Sequence, residues 1–158
     1  MTNTFIAHGL QQYAVTPEHV QLSQNLAVHY DTVAEVLNIR WEGTVDTSEL
    51  RNGYTYILRL VQFFKPTRWV LDLQHRDTIK KEDQKWVFKH IFPRALRLLN
   101  QDVFVAVILP VHFYESLIHD LDGDDMIYGD KVLILEHFLY YEECLRWLNE
   151  MHSGSETA

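Results

Sequence analysis

The side chains best suited to chemistry lie in one run, Asp72-Leu73-Gln74-His75-Arg76-Asp77-Thr78-Ile79-Lys80-Lys81. The run follows a β-prone segment and leads into a helical one. In α/β sheets ligands gather at the carboxyl ends of strands. His75, Arg76, Thr78 and Lys80 are therefore candidates to hold an anion, and Thr78 is a candidate phosphoacceptor. A strand-to-helix loop with solvated polar residues accounts for the same composition. Catalysis would need a base and a nucleophile within about 3 Å of each other. No spacing in the chain supplies such a pair, so no catalytic residue is assigned.

Other chemistries are poorly served. There is no GxGxxG and no phosphate loop, and none of the six glycines clusters after a strand. A Gly-x-Ser-x-Gly elbow is missing, and Ser153-Gly154-Ser155 sits near the C-terminus. Asp120, Asp122 and Asp124 alternate as in a calcium loop, but Asp125 stands where Gly is needed and Lys131 where Glu is needed. That stretch reads as a solvated loop. The nine histidines show no metal-ligand spacing, so neither a metal nor a cofactor is expected. They do make the net charge sensitive to pH below about 6.5. Cys144, the single cysteine, lies beside Leu145 and Leu148 and reads as a small buried hydrophobe.

The elements that must position the loop follow from periodicity. Met1 to His19 has no clear period and reads as an arm. Leu26 to Tyr30 and Val33 to Glu42 read as an antiparallel hairpin, with Leu37, Ile39 and Trp41 on one face. Asp46 and Glu49 resemble a capping box. The helix they open carries Leu50, Tyr54, Ile57, Leu58 and Val61 on one stripe and stops before Pro66. Arg68 to Leu73 is a buried strand. A second helix runs over roughly Glu82 to Leu99, and Pro93 should kink or break it. Val103 to Leu109 is apolar throughout, as in a strand covered on both faces. Phe113, Leu117 and Leu121 mark a short third helix. A strand follows within Lys131 to Phe138, then a last helix over about Tyr141 to Met151.

The order is β-β-α-β-α-β-α-β-α, a single-domain α/β fold whose mixed sheet is flanked by helices. The expected division is an arm over 1–19, a domain over 20–152 and a disordered tail over 153–158. One domain suits the 158-residue length and 47% hydrophobic share. No apolar run approaches the roughly 18 residues of a membrane span. The first residues lack the pattern of a signal peptide, so a cytoplasmic protein is expected.

Charge is unevenly spread within the net −8. Met1 to Phe64 holds 3 basic and 6 acidic residues, Lys65 to Asn100 holds 9 and 4, and Gln101 to Ala158 holds 2 and 12. The basic middle can attract an anionic ligand, an acidic partner or a second copy. The acidic balance argues against nucleic acid.

Several scattered residues carry a family resemblance. They are Trp41-Glu42-Gly43, Asp72, the run Ile79 to Trp86 with Asp83 and Gln84, Phe92-Pro93-Arg94-Ala95, and Phe138 to Leu148. Together they resemble the bacterial STAS-like proteins, related to anti-sigma-factor antagonists and to STAS/lipid-binding-like proteins, over about Leu26 to Asn149. The resemblance implies a mixed sheet flanked by helices and no known enzymatic activity. In the antagonists a serine is phosphorylated before a helix. The matching loop here has Thr78 as its only hydroxyl and Lys80 where Ser or Thr often stands. Trp41, Asp72, Asp83, Gln84, Trp86, Pro93 and Arg94 are also explained as architecture.

Three functional expectations follow. The first is a non-enzymatic interaction or signalling domain, expected to be a homodimer with a possible protein partner, because 13% aromatic residues is more than a small core absorbs. The second is a carrier of a small apolar or lipid-like ligand. The third is a phosphoacceptor or enzyme centred on His75, Arg76 and Thr78.

Overall fold

Alternation of apolar and polar residues builds one side of the sheet. In the computed structural model, which describes residues 18–113 and 125–157, β1 (His19–Ser23) pairs antiparallel with β2 (Leu26–Asp31). β2 in turn pairs antiparallel with β3 (Val36–Gly43). Val20, Leu22, Leu26, Val28, Leu37, Ile39 and Trp41 all enter one core. The expected hairpin is present, with its turn at residues 32–35. There Asp31 Oδ1 accepts from the Val33 and Ala34 amides, both at 3.0 Å, and Glu35 adopts φ +58°. β1 was not expected. It has only two inward apolar residues, too few to stand out from an irregular arm. Its presence moves the hairpin away from the sheet edge.

Helix α1 (Thr47–Phe64) begins where Asp46 Oδ1 accepts from the Glu49 amide at 2.8 Å. Only half of the capping box forms. The Glu49 carboxylate is drawn away by Asn25 Nδ2 at 2.9 Å and the Ser23 hydroxyl at 3.3 Å. The helix ends at Lys65, φ +54°, whose amide donates to the Val61 carbonyl before Pro66. Gly53 lets α1 lie tight on the sheet: a Cβ there would stand 2.4 Å from Trp41 Cη2 and 2.8 Å from Leu26 Cδ2.

β4 (Arg68–Arg76) runs parallel to β3 and to β5 (Val103–Ile108). Between β4 and β5 the second helix is split into α2 (Lys81–Trp86), a π turn (Val87–Ile91) and α3 (Phe92–Leu99). Pro93 is the cause. It has no amide to offer the Lys89 carbonyl, and the amide before it, Phe92, reaches back five residues to Val87. The expected break is thus a π bulge that keeps one continuous rod.

β7 (Lys131–Phe138) is parallel to β5, and β6 (Met126–Tyr128) hangs antiparallel on its outer side. The strand order is β1-β2-β3-β4-β5-β7-β6, a seven-stranded mixed sheet in an α/β domain. β6 was not expected, because its residues lie in the acidic stretch read as a loop. The third helix, expected around Phe113, Leu117 and Leu121, falls mostly outside the described residues, as do Asp120, Asp122 and Asp124. A 3₁₀ turn at Val111–Phe113 is described. The last helix, α4 (Tyr141–Thr157), continues past the expected end at Met151, since no proline follows to stop it. Its backbone is helical through residues 153–157.

The two faces of the sheet are covered unequally. α1, α2 and α3 close one face over Trp41, Trp69, Leu71, Val105, Val107, Leu133 and Leu135. On the other face α4 brings Cys144 and Leu148 onto Val36, Val70, Phe104, Ala106 and Ile108. Beyond α4 the residues on that face are polar, among them Gln21, His29, Asn38 and Arg40. Among the described residues, no helix is long and apolar enough to cross a membrane.

Candidate functional site

β3 and β4 end together at the top of the sheet, and their last residues set what the loop after β4 can do. Glu42 pairs with His75 and Gly43 with Arg76 after a register shift that follows Arg40 and Asp72. The shift turns His75 outward, where it is exposed, and Arg76 inward, where only 4% of its surface remains accessible. The Arg76 guanidinium donates to the Thr78 carbonyl at 3.0 Å and so folds its own loop. Thr78 and Lys80 lie exposed on the outside. Lys80 is the N-cap of α2 and makes no side-chain cap bond. Asp72 Oδ1 accepts from the Gln74 amide and side chain. The candidate anion-binding residues therefore diverge: Arg76 points into the protein, and His75, Thr78 and Lys80 face solvent.

Inside, Arg76 joins a buried polar cluster. Asp83, also 4% exposed, accepts from the Thr47 hydroxyl at 2.9 Å and so ties α2 to the start of α1. Tyr54 lies tilted against Trp41 with ring centres 5.6 Å apart. Burial pulls the Arg76 pKa down, and the carboxylates of Asp83, Glu49 and Asp77, with Tyr54 once ionised, oppose that pull. Burial likewise pushes the Tyr54 hydroxyl above its ordinary range, which keeps it neutral. Among the described residues, Arg76 Nε, Asp83 Oδ2 and Trp41 Nε1 have no hydrogen-bond partner. The Thr47–Asp83 bond joins α1 to α2 beside the buried Arg76 at the sheet's top edge. Gln84 and Trp86 are half-buried on α2, with the Arg51 guanidinium 4.9 Å over the Trp86 ring.

A second place collects cations and leaves them open. Thr55, Leu58, Arg59 and Gln62 of α1 face Arg94, Arg97 and Leu98 of α3 across a groove of about 410 Å³. Each set follows three- and four-residue helical spacing and forms one helix face. The Arg59 guanidinium sits 5.2 Å over Tyr56, and that of Arg97 sits 5.9 Å over Tyr128 on β6. Among the described residues, no carboxylate lines the groove. Arg94 was singled out in the sequence; the groove was not. The periodic sets were legible, but nothing in the sequence shows that α1 and α3 lie side by side.

The remaining candidates are structural in placement. The cleft under α2 and α3 lined by Leu71, Val87, Phe88, Phe92, Val107 and Leu135 measures about 10 Å³, at the limit for a single water. Cys144 is buried and its thiol is pushed up to about 12 by desolvation, with Asp72 and Glu143 adding to the shift. Such a thiol is a poor nucleophile. Among the described residues no group of His, Cys, Asp or Glu is arranged to hold a metal ion. No family model, no curated protein and no solved structure matches this chain.

Proposed function

We propose that the protein is a non-enzymatic, STAS-like interaction or signalling domain that acts as a homodimer. The observation that carries this reading is the outer edge of β6. Among the described residues no strand pairs with that edge, and Ile127 on it is 77% exposed. An open strand edge with an apolar side chain is a template for pairing with another chain. Two β6 edges pairing antiparallel about a two-fold axis form a closed, self-complementary contact. The neighbouring Tyr128, 48% exposed and stacked under Arg97, adds apolar area to the short strand.

Sedimentation or light scattering at tens of micromolar protein tests the reading. A dimer mass is expected for the wild type and a monomer mass for Ile127→Lys. A wild type that stays monomeric at these concentrations removes the dimer. A dimer unaffected by Ile127→Lys moves the contact elsewhere.

A further inference from the structure

We infer that the groove between α1 and α3 is a docking site for an acidic, amphipathic segment of a second protein. The proposal rests on the reading of this chain as an interaction domain and names its partner's chemistry.

Three features carry it. Arg59, Arg94 and Arg97 converge on one groove in a chain of net charge −8. All three are exposed, and none is in an ion pair among the described residues. Among the described residues, no carboxylate is in the lining. An uncompensated cluster of one sign favours a partner of the other sign. The rings of Tyr56 and Tyr128 hold two of the guanidinium groups in place, which lowers the entropy lost on binding.

The rest of the lining selects among anions. Leu58 lies at the floor, and Leu98 is 43% exposed at the rim. Their apolar surface suits leucine-like side chains spaced between carboxylates, as in helix-in-groove recognition. Three guanidinium groups on an acidic protein are too sparse to track a phosphodiester backbone. The chain's own acidic α4 is a poor occupant. It lies on the opposite face of the sheet, so a copy docking α4 into its neighbour would associate head to tail without closing a pair.

The test is binding of a fluorescein-labelled helical peptide with Glu along one face and Leu at three- and four-residue spacing, read by anisotropy. A second peptide has Gln in place of every Glu. The expected result is saturable binding of the acidic peptide, weakened about tenfold or more both by the Gln peptide and by Arg59→Gln/Arg94→Gln/Arg97→Gln. Amide shifts from the acidic peptide should centre on residues 55–62 and 94–98. Equal affinity for the triple variant, shifts centred elsewhere, or no saturable binding overturns the proposal. Displacement by inorganic phosphate at constant ionic strength also overturns it, in favour of a free-anion site. The oligomeric mass of the same samples separates the outcomes: an intact dimer with no groove binding sinks this proposal alone.

Discussion

Arg76 and Arg94 come from the same basic middle of the chain, yet the fold treats them in opposite ways. Arg76 is buried among Tyr54, Asp83 and Glu49 and closes its own loop through the Thr78 carbonyl. Arg94 stands open with Arg59 and Arg97 on a groove that no carboxylate lines among the described residues. Residue type alone does not distinguish a lock from a recognition site. The distinction lies in whether the charge is already compensated. A compensated buried cation holds elements together, and an uncompensated exposed one is available to a partner.

The strongest way to break this comparison is to remove the buried carboxylate whose charge acts on Arg76. Asp83→Ala leaves Arg76 charged in a site with little water and frees the Thr47 hydroxyl. We expect a loss of about 1–3 kcal/mol in denaturant unfolding, the cost of leaving buried polar groups without partners, which lowers the melting temperature by about 5 °C. The double variant Arg76→Met/Asp83→Leu removes both charges together and should recover much of that loss. A single variant as stable as the wild type would mean that Arg76 is not held by its buried neighbours, and the lock would have to be abandoned.

Gly53 links the two regions, because α1 carries Thr47 and Glu49 of the lock and Arg59 of the groove. A methyl group at this position meets Trp41 and Leu26, both fully buried, at distances no packed carbon tolerates. Gly53→Ala is expected to cost about 1–3 kcal/mol through overpacking. Because α1 must move away from β3, affinity for the acidic peptide should fall too, although no groove residue has changed. Unchanged stability would show that Trp41 can yield, and that the position of α1 is set elsewhere.

The unequal legibility of the two regions in the sequence has a physical origin. Strands with three or more inward residues, such as Val36 to Trp41 and Val103 to Ile108, announced themselves by period or by continuous apolarity. β1 and β6 did not, since edge strands of five and three residues owe their form to the neighbour they pair with. Pro93 signalled a disturbance but not its kind. A missing amide can kink, break or bulge a helix, and the packing of Phe92 and Ile91 on the sheet decides among them. Arg76 was legible as a charged residue in the loop expected after a strand over Arg68 to Leu73; the strand in fact runs on to Arg76. Its inward turn depends on the register shift between β3 and β4, which no local pattern encodes. The groove depends on which helices become neighbours, a property of the sheet order.

The far face of the sheet supplies a control that involves neither arginine cluster. The Cys144 thiol is pushed up to about 12 against an ordinary 9.0 by burial between α4 and the sheet. The sign follows from linkage. The folded state holds this proton more tightly than the unfolded state, so the stabilisation is complete below pH 9 and is lost as pH rises toward 12. Tyr141 on the same helix, and Tyr54 beside Arg76, are raised too and act in the same direction, so it is the Cys144→Ala difference that isolates the thiol. Urea unfolding at pH 8 and pH 10.5 should therefore show a loss, and Cys144→Ala should lose less over the same interval. The native thiol should also resist alkylation at pH 8 until the protein unfolds. Rapid native labelling would place Cys144 in a looser environment than α4 packing implies.

The smallest expected effect sharpens the comparison most. Arg59→Gln/Arg94→Gln/Arg97→Gln changes three exposed side chains, so its stability should stay within about 0.5 kcal/mol of the wild type per site. The like charges repel across the groove, and their removal can offset the lost stacking on Tyr56 and Tyr128. Salt gives the second reading. Affinity for the acidic peptide should fall between low salt and about 0.15 M, where the screening length is about 8 Å. The stability lost in Asp83→Ala should barely respond to the same change, because its charges are out of solvent. If the triple variant is destabilised as strongly as Asp83→Ala, the groove arginines are a second lock, and the open surface they share is not a recognition site.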